Sequence, residues 1–206
     1  MLNKDLVNPK NTVILVIDIQ NDYCSEKGKI AKFRKFDMRP VQKIVPKILK
    51  FVDFARNKGL PIIWTRMIED PRYLPPNYSY KIKHTPIPIS ACTPGTFGFD
   101  YYKIKPVRGD FQIVKRAYDA FDKPKLQKVL KSKKIKNLII VGAYTSVCVD
   151  TSVRSGFRLG YNIIVPEDLV AMPKQRWHLH KAALENMGTI FAFVVDSKEI
   201  VNVWKV

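Results

Sequence analysis

The sequence predicts an α/β fold, a three-layer sandwich in which a six-stranded, mostly parallel sheet carries helices on both faces. Two observations point to it. Six short apolar runs alternate with segments whose apolar residues recur every three or four positions, the pattern of strands joined by right-handed helical crossovers. The runs are also almost continuously aliphatic, as strands covered on both faces must be.

The first run, TVILVID at 12–18, closes on Asp18 and so puts a carboxylate at the carboxyl end of a central strand. Val41, Ile44, Val45, Ile48, Leu49, Val52 and Ala55 then fall at helical spacing until Gly59; Pro46 inside this pattern either kinks the helix or marks its true start. LPIIWT at 60–65 is the second strand. Residues 69–98 are rich in proline and aromatic residues and read as a long irregular excursion, of the kind that forms lids or subunit contacts. FQIVK at 111–115 is the third strand and ends in Lys115, and Pro124 opens a helix with an apolar stripe of Leu126, Val129 and Leu130.

Residues 138–141, LIIV, form the fourth strand, and from Val149 the apolar spacing near four signals a helix that stops before Gly160. Cys148 sits in the turn between them. There a thiol meets the positive end of the peptide dipoles, which favours thiolate, and backbone N–H groups that can hold an oxyanion. A strand at 161–166, a helix at 175–187, a last strand at 189–195 and a helix capped by Asp196 complete the chain.

Three strands thus end at Asp18, Lys115 and the turn bearing Cys148, and the carboxyl ends of strands are where such sheets bind ligands. A carboxylate beside a thiol can take its proton and later deliver it to a leaving amine, while an ammonium holds both charges in place. The alternative for Asp18 and Lys115 is a buried structural ion pair, and for Cys148 a small buried apolar residue.

Composition narrows the classes. The 206 residues suit one domain, 1–206, and 46% hydrophobic residues fill its core. Three cysteines without regular spacing make neither a disulfide framework nor a zinc motif, which fits a reducing cytoplasm. No secretory leader, membrane-length apolar run, dinucleotide fingerprint or P-loop is evident. Thirty-six Lys plus Arg against 18 Asp plus Glu give a net charge of +18, which raises a nucleic-acid or anion-binding alternative. The basic residues are scattered over helix faces and loops without stacking aromatics, so the expectation is a lysine-rich surface and no nucleic-acid partner.

Four stretches, VIDIQNDY at 16–23, TPGTFG at 93–98, IVKRAYDAF at 113–121 and VGAYTSVCVDTSVRSGFRLGYNIIVPED at 141–168, occur in an order that resembles the isochorismatase-like cysteine hydrolases. That superfamily includes nicotinamidases, N-carbamoylsarcosine amidases, ureidoacrylate hydrolases and isochorismatase, and the resemblance covers nearly the whole chain. It implies a catalytic triad of Asp18 as general base and acid, Lys115 as its charged partner and Cys148 as nucleophile. It implies a cis peptide between Ala143 and Tyr144, with the N–H groups of Tyr144 and Cys148 forming an oxyanion hole. Tyr23 and Phe121 then line the substrate pocket, unless they are ordinary core aromatics. The implied reaction is hydrolysis of a small amide or ureido substrate through a thioester, without cofactor, in a homo-oligomer.

Two departures refine this. Nicotinamidases carry an Asp-x-His metal motif after the second strand, where this chain reads TRMIEDPRY, and His84, His178 and His180 do not restore it. No metal site is therefore expected. Isochorismatase proper lacks the nucleophilic cysteine, so vinyl-ether hydrolysis is the alternative to amide hydrolysis.

Overall fold

The computed structural model describes residues 2–84 and 90–205. Strand β1 (Thr12–Ile17) lies in the middle of the sheet, between β2 (Ile62–Met67) and β4 (Asn137–Ala143), and all strand pairs are parallel. With β3 (Phe111–Lys115), β5 (Asn162–Pro166) and β7 (Phe193–Val195) the order is β3-β2-β1-β4-β5-β7. The chain moves outward from β1 to β3 and then returns to β4 on the other side of β1. The crevice of such a sheet therefore opens between the carboxyl ends of β1 and β4.

Alternation along β1 builds the two cores. Ile14 and Val16 pack with Val41, Val45, Ile48 and Val52 of α3 (Arg39–Asn57) and Ile200 and Trp204 of α8 (Ser197–Lys205). Val13, Leu15 and Ile17 face Leu126 and Leu130 of α5 (Pro124–Ser132), Val153 of α6 (Asp150–Arg158) and Ala183 of α7 (Trp177–Asn186). Pro46 lies inside α3 without ending it, the helix beginning one residue before Pro40.

The strand count differs from expectation. A seventh strand, the two-residue β6 (Val170–Ala171), pairs with the end of β4. The last long strand, expected over 189–195, begins only at Phe193, because Met187–Phe191 continues α7 as a π-helical turn. Its spacing of four buries Met187 and sets Phe191 edge-on against Phe157 at 5.6 Å, so the apolar run there is helical. Within the excursion at 69–98, Pro76–Lys83 forms helix α4.

Two of the quoted motifs interlock. In the short helix α1 (Asn21–Cys24), Asn21 Nδ2 donates to the Phe97 carbonyl at 2.7 Å, and the Asp22 carboxylate accepts from the N–H groups of Lys29 and Cys92 at 2.8 and 2.7 Å. A side chain at Gly98 would run into that carboxylate.

Gly142 pairs with Ile17 at the ends of β4 and β1, with φ of 124° and no room for a Cβ against the Ile17 carbonyl. Gly142→Ala is expected to cost ~2–3 kcal/mol, read as a lowered Tm in thermal unfolding, because both backbone strain and overpacking act on it. An unchanged Tm would show that this approach is not constrained.

Candidate active site

The carboxyl end of β1 stops at Ile17 because Asp18 takes a left-handed conformation, φ 48°, which Asp tolerates better than most residues. This turns a fully buried carboxylate toward the crevice. Its Oδ1 accepts a hydrogen bond from Thr65 Oγ1 of β2 at 2.6 Å, and the same hydroxyl accepts from the Asp18 N–H at 3.2 Å. Its Oδ2 stands 2.7 Å from Lys115 Nζ, an ion pair between two fully buried side chains. One oxygen is thereby anchored and the other retains lone pairs for a proton.

Lys115, the last residue of β3, is also fully buried and reaches across the end of β2. Its ammonium donates to the carbonyls of Ala117 and Tyr118 at 3.1 and 3.2 Å and to Cys148 Sγ at 3.4 Å. Burial works against this charge, but Asp18 and the Cys148 sulfur outweigh it and hold the lysine pKa above its ordinary value. The lysine is thus a fixed cation touching both the carboxylate and the sulfur.

Cys148 lies in a π-helical turn, Thr145–Val149, that runs into α6; the Tyr144 carbonyl accepts from both the Val147 and Val149 N–H groups, at 3.1 and 3.2 Å. Such turns inside helices are often functional. Thr145 opens the turn and its hydroxyl shares a hydrogen bond with His180 Nδ1 at 2.9 Å, on an imidazole whose pKa burial lowers to about 4. The Ala143–Tyr144 peptide that precedes it is cis.

Expectation and structure differ on the thiol. Burial pushes the Cys148 pKa well above its ordinary value, the Lys115 charge pulls it down, and the Asp18 charge adds to the rise. At 4% exposure the sulfur is desolvated, which opposes the helix dipole that favours thiolate. The Asp18 carboxylate is the group placed to receive a proton from this sulfur.

Cys148 opens onto a cavity of about 260 Å³ together with Ala143 and Tyr144, while Asp18 and Lys115 lie buried behind it and are not among its lining residues. Tyr23 and Tyr118 line it with Glu69, and Tyr23 meets Tyr144 edge-on at 5.4 Å. Arg34 of α2 (Lys29–Arg34) and Lys81 of α4 bring positive charge to the same cavity. A more open cleft of about 630 Å³ lies at the sheet's opposite edge, next to Ile62 and Phe111. Of its cations Lys10, Arg56, Arg108 and Lys133, Arg56 and Lys133 sit where α3 and α5 end, the position that complements a helix dipole, and no member of the Asp18, Lys115 and Cys148 group lines it.

Tyr23 lines the cavity beside Cys148, whereas Phe121 does not. Phe121 stacks on Tyr161 at 6.1 Å and packs against the core between the sheet and α6, because the chain turns away after Tyr118. Tyr118, three residues earlier in the same motif, is the aromatic that faces the cavity. Sequence reasoning also missed Thr65 and Glu69, whose placement depends on the pairing of β1 with β2 and on the loop after β2. Of the histidines, His84 is exposed and stacks on Tyr80, His178 is exposed, and His180 is the buried partner of Thr145. Among the described residues no group of three or more His, Cys, Asp or Glu side chains is arranged to hold a metal.

A parallel sheet with an acid, a base and a thiol at its switch point defines a class of α/β enzyme, and comparison places the chain within it. The profile of the isochorismatase domain matches residues 12–199, and the chain belongs to that family. It is 31% identical over 201 residues to the ureidoacrylate amidohydrolase RutB of Caulobacter segnis, the match covering 91% of this chain and 83% of that protein. The RutB of Acinetobacter baylyi is 28% identical over 212 residues, covering 96% and 85% of the two chains. Among solved structures, a cysteine hydrolase from Pseudomonas syringae pv. phaseolicola superposes with a TM-score of 0.82 at 20% identity, covering 97% and 95%. The N-carbamoylsarcosine amidase of Thermoplasma acidophilum gives 0.72 at 22% identity, covering 91% and 96%, a likeness of fold.

Proposed function

We propose that this protein, a hydrolase of the isochorismatase family, cleaves the C–N bond of a small amide or N-carbamoyl compound through a thioester on Cys148. The observation that carries the reading is one ammonium, Lys115 Nζ, lying 2.7 Å from Asp18 Oδ2 and 3.4 Å from Cys148 Sγ beside a substrate-sized cavity. The names of the RutB relatives support the same chemistry.

In this mechanism the thiol proton passes to Asp18 Oδ2 as the sulfur attacks the carbonyl carbon. Lys115 stays protonated and balances whichever of the two groups carries the negative charge. The Tyr144 and Cys148 N–H groups receive the oxyanion, a contribution of about 10²- to 10³-fold per donor in comparable sites. Asp18 then returns the proton to the leaving nitrogen, the C–N bond breaks, and ammonia or an amine departs. Water, deprotonated by Asp18, hydrolyses the thioester and the thiol is restored. Tyr23 and Tyr118 shape the pocket.

The same reading makes the enzyme metal-independent and assigns the whole activity to one domain over 1–206. It places the protein in the cytoplasm, where its three free, buried cysteines stay reduced, and as a homo-oligomer, as the resemblance implies. Among the described residues no helix is long and apolar enough to cross a membrane. The test is ammonia release from a panel of small carboxamides and N-carbamoyl compounds before and after dialysis against a chelator. Activity is expected to survive unchanged. Loss on dialysis with recovery on adding zinc would contradict metal independence, and silence toward every compound would contradict the amidohydrolase reading.

A further inference from the structure

We propose that Glu69 is a specificity-determining residue whose carboxylate grips the two parallel N–H bonds of a ureido group, so that the enzyme selects N-carbamoyl compounds over plain carboxamides. This rests on the thioester reading above and adds the class of substrate that the cavity prefers. Glu69 follows β2, and its backbone is fixed by a bridge to Ala91, whose N–H donates to the Glu69 carbonyl at 2.9 Å. Its side chain lines the cavity that holds Cys148.

Two phenols orient the carboxylate. Tyr23 donates to Oε2 at 2.7 Å and Tyr118 to Oε1 at 3.3 Å, and Tyr118 is itself stacked on Tyr78 at 5.1 Å. Each oxygen has two lone pairs, so one phenol on each leaves each oxygen able to accept again. The result is two side-by-side acceptors at a fixed tilt in a small, mostly apolar cavity. Burial pushes the Glu69 pKa up, while Tyr23, Tyr118, Lys115 and Arg34 all favour the ionised form. A carboxylate so placed gains most from paired N–H donors, in the way it gains from the fork of an arginine.

A ureido group offers such a pair. Its inner N–H and one N–H of its terminal amide point the same way, directly opposite the carbonyl oxygen. Glu69 can hold these while the Tyr144 and Cys148 N–H groups receive the oxygen, so recognition and oxyanion stabilisation make no conflicting demand. A carboxamide has CH₂ where the inner N–H would be and offers one donor only. With a ureido substrate, attack by Cys148 breaks the bond to the terminal nitrogen and releases ammonia, leaving a thiocarbamate on the sulfur. Water then frees a carbamic acid, which loses carbon dioxide to give the amine.

The test uses matched pairs that differ by that one N–H: N-carbamoyl-β-alanine with glutaramic acid, and N-carbamoylglycine with succinamic acid, assayed for ammonia release by the wild-type enzyme and by Glu69→Gln. In the wild type, kcat/KM for the carbamoyl member is expected to exceed that for its partner by about 10- to 100-fold, the worth of one hydrogen bond to a charged group. In Glu69→Gln, which pairs an acceptor with a donor, the ratio is expected to fall toward one. Equal rates within the pairs in the wild type, no hydrolysis of either carbamoyl compound, or an unchanged ratio in Glu69→Gln would each overturn the assignment. The wild-type ratio decides even where the variant does not fold. Cys148→Ala separates the two readings: hydrolysis that persists without the thiol overturns the thioester and leaves the pair ratio to judge Glu69.

Discussion

Cys148→Ser is expected to lower kcat for amide hydrolysis by at least about 10⁴-fold while leaving the fold intact, since the exchange of sulfur for oxygen is nearly isosteric at a site that is 4% exposed. The physical reason lies in the thiol proton. Burial pushes the Cys148 thiol up, and a hydroxyl, far more weakly acidic, loses its proton to Asp18 much less readily still. Circular dichroism and an unchanged Tm separate lost chemistry from lost structure. The same variant discriminates the alternative activity, because vinyl-ether hydrolysis needs Asp18 and Lys115 but no sulfur. Retention of wild-type amide hydrolysis by Cys148→Ser would contradict the role of the thiol as nucleophile.

Lys115→Met is expected to abolish activity and also to destabilise the protein by about 3–5 kcal/mol, because it leaves the Asp18 carboxylate buried without its counter-charge. Asp18 and Lys115 are both fully buried, and their 2.7 Å ion pair ties the residue after β1 to the end of β3, on the far side of β2. Adding Asp18→Asn removes the orphaned charge, so the double variant is expected to recover much of the lost stability and none of the lost activity. Stability is read by denaturant unfolding and activity by ammonia release. A purely structural ion pair makes the opposite forecast: the double variant regains both.

How much of this was legible in the sequence follows from what each inference depended on. The strands through Asp18, Lys115 and Ile139 were readable because a continuous aliphatic run has few other uses in a chain of this size. The convergence of Asp18, Lys115 and Cys148 was readable because parallel strands deliver their carboxyl ends to one edge. Phe121 was misplaced for a geometric reason. After Lys115 the chain leaves the sheet irregularly, so no period tells which aromatic of RAYDAF faces the cavity, and Tyr118 does. Glu69 carried no signal at all, since its role depends on phenols from α1 and from the loop after β3. The thiolate expectation weighed the helix N-terminus, a local feature, whereas the burial that pushes the Cys148 pKa up is set by everything packed around the sulfur. The shortened last strand reflects the ambiguity of short apolar runs between strand and helix.

The covalent intermediate on Cys148 is the claim on which the rest depends, and acid quenching during the first turnover tests it most directly. Wild-type enzyme is mixed with a carboxamide or carbamoyl compound that it hydrolyses, quenched at successive times, digested and weighed peptide by peptide, with ammonia measured in the same samples. The account predicts that the peptide containing Cys148 gains the mass of the acyl group as the first equivalent of ammonia appears, and that Cys148→Ser shows neither. Ammonia released in stoichiometric or greater amount while the Cys148 peptide keeps its unmodified mass at every quench time would contradict it.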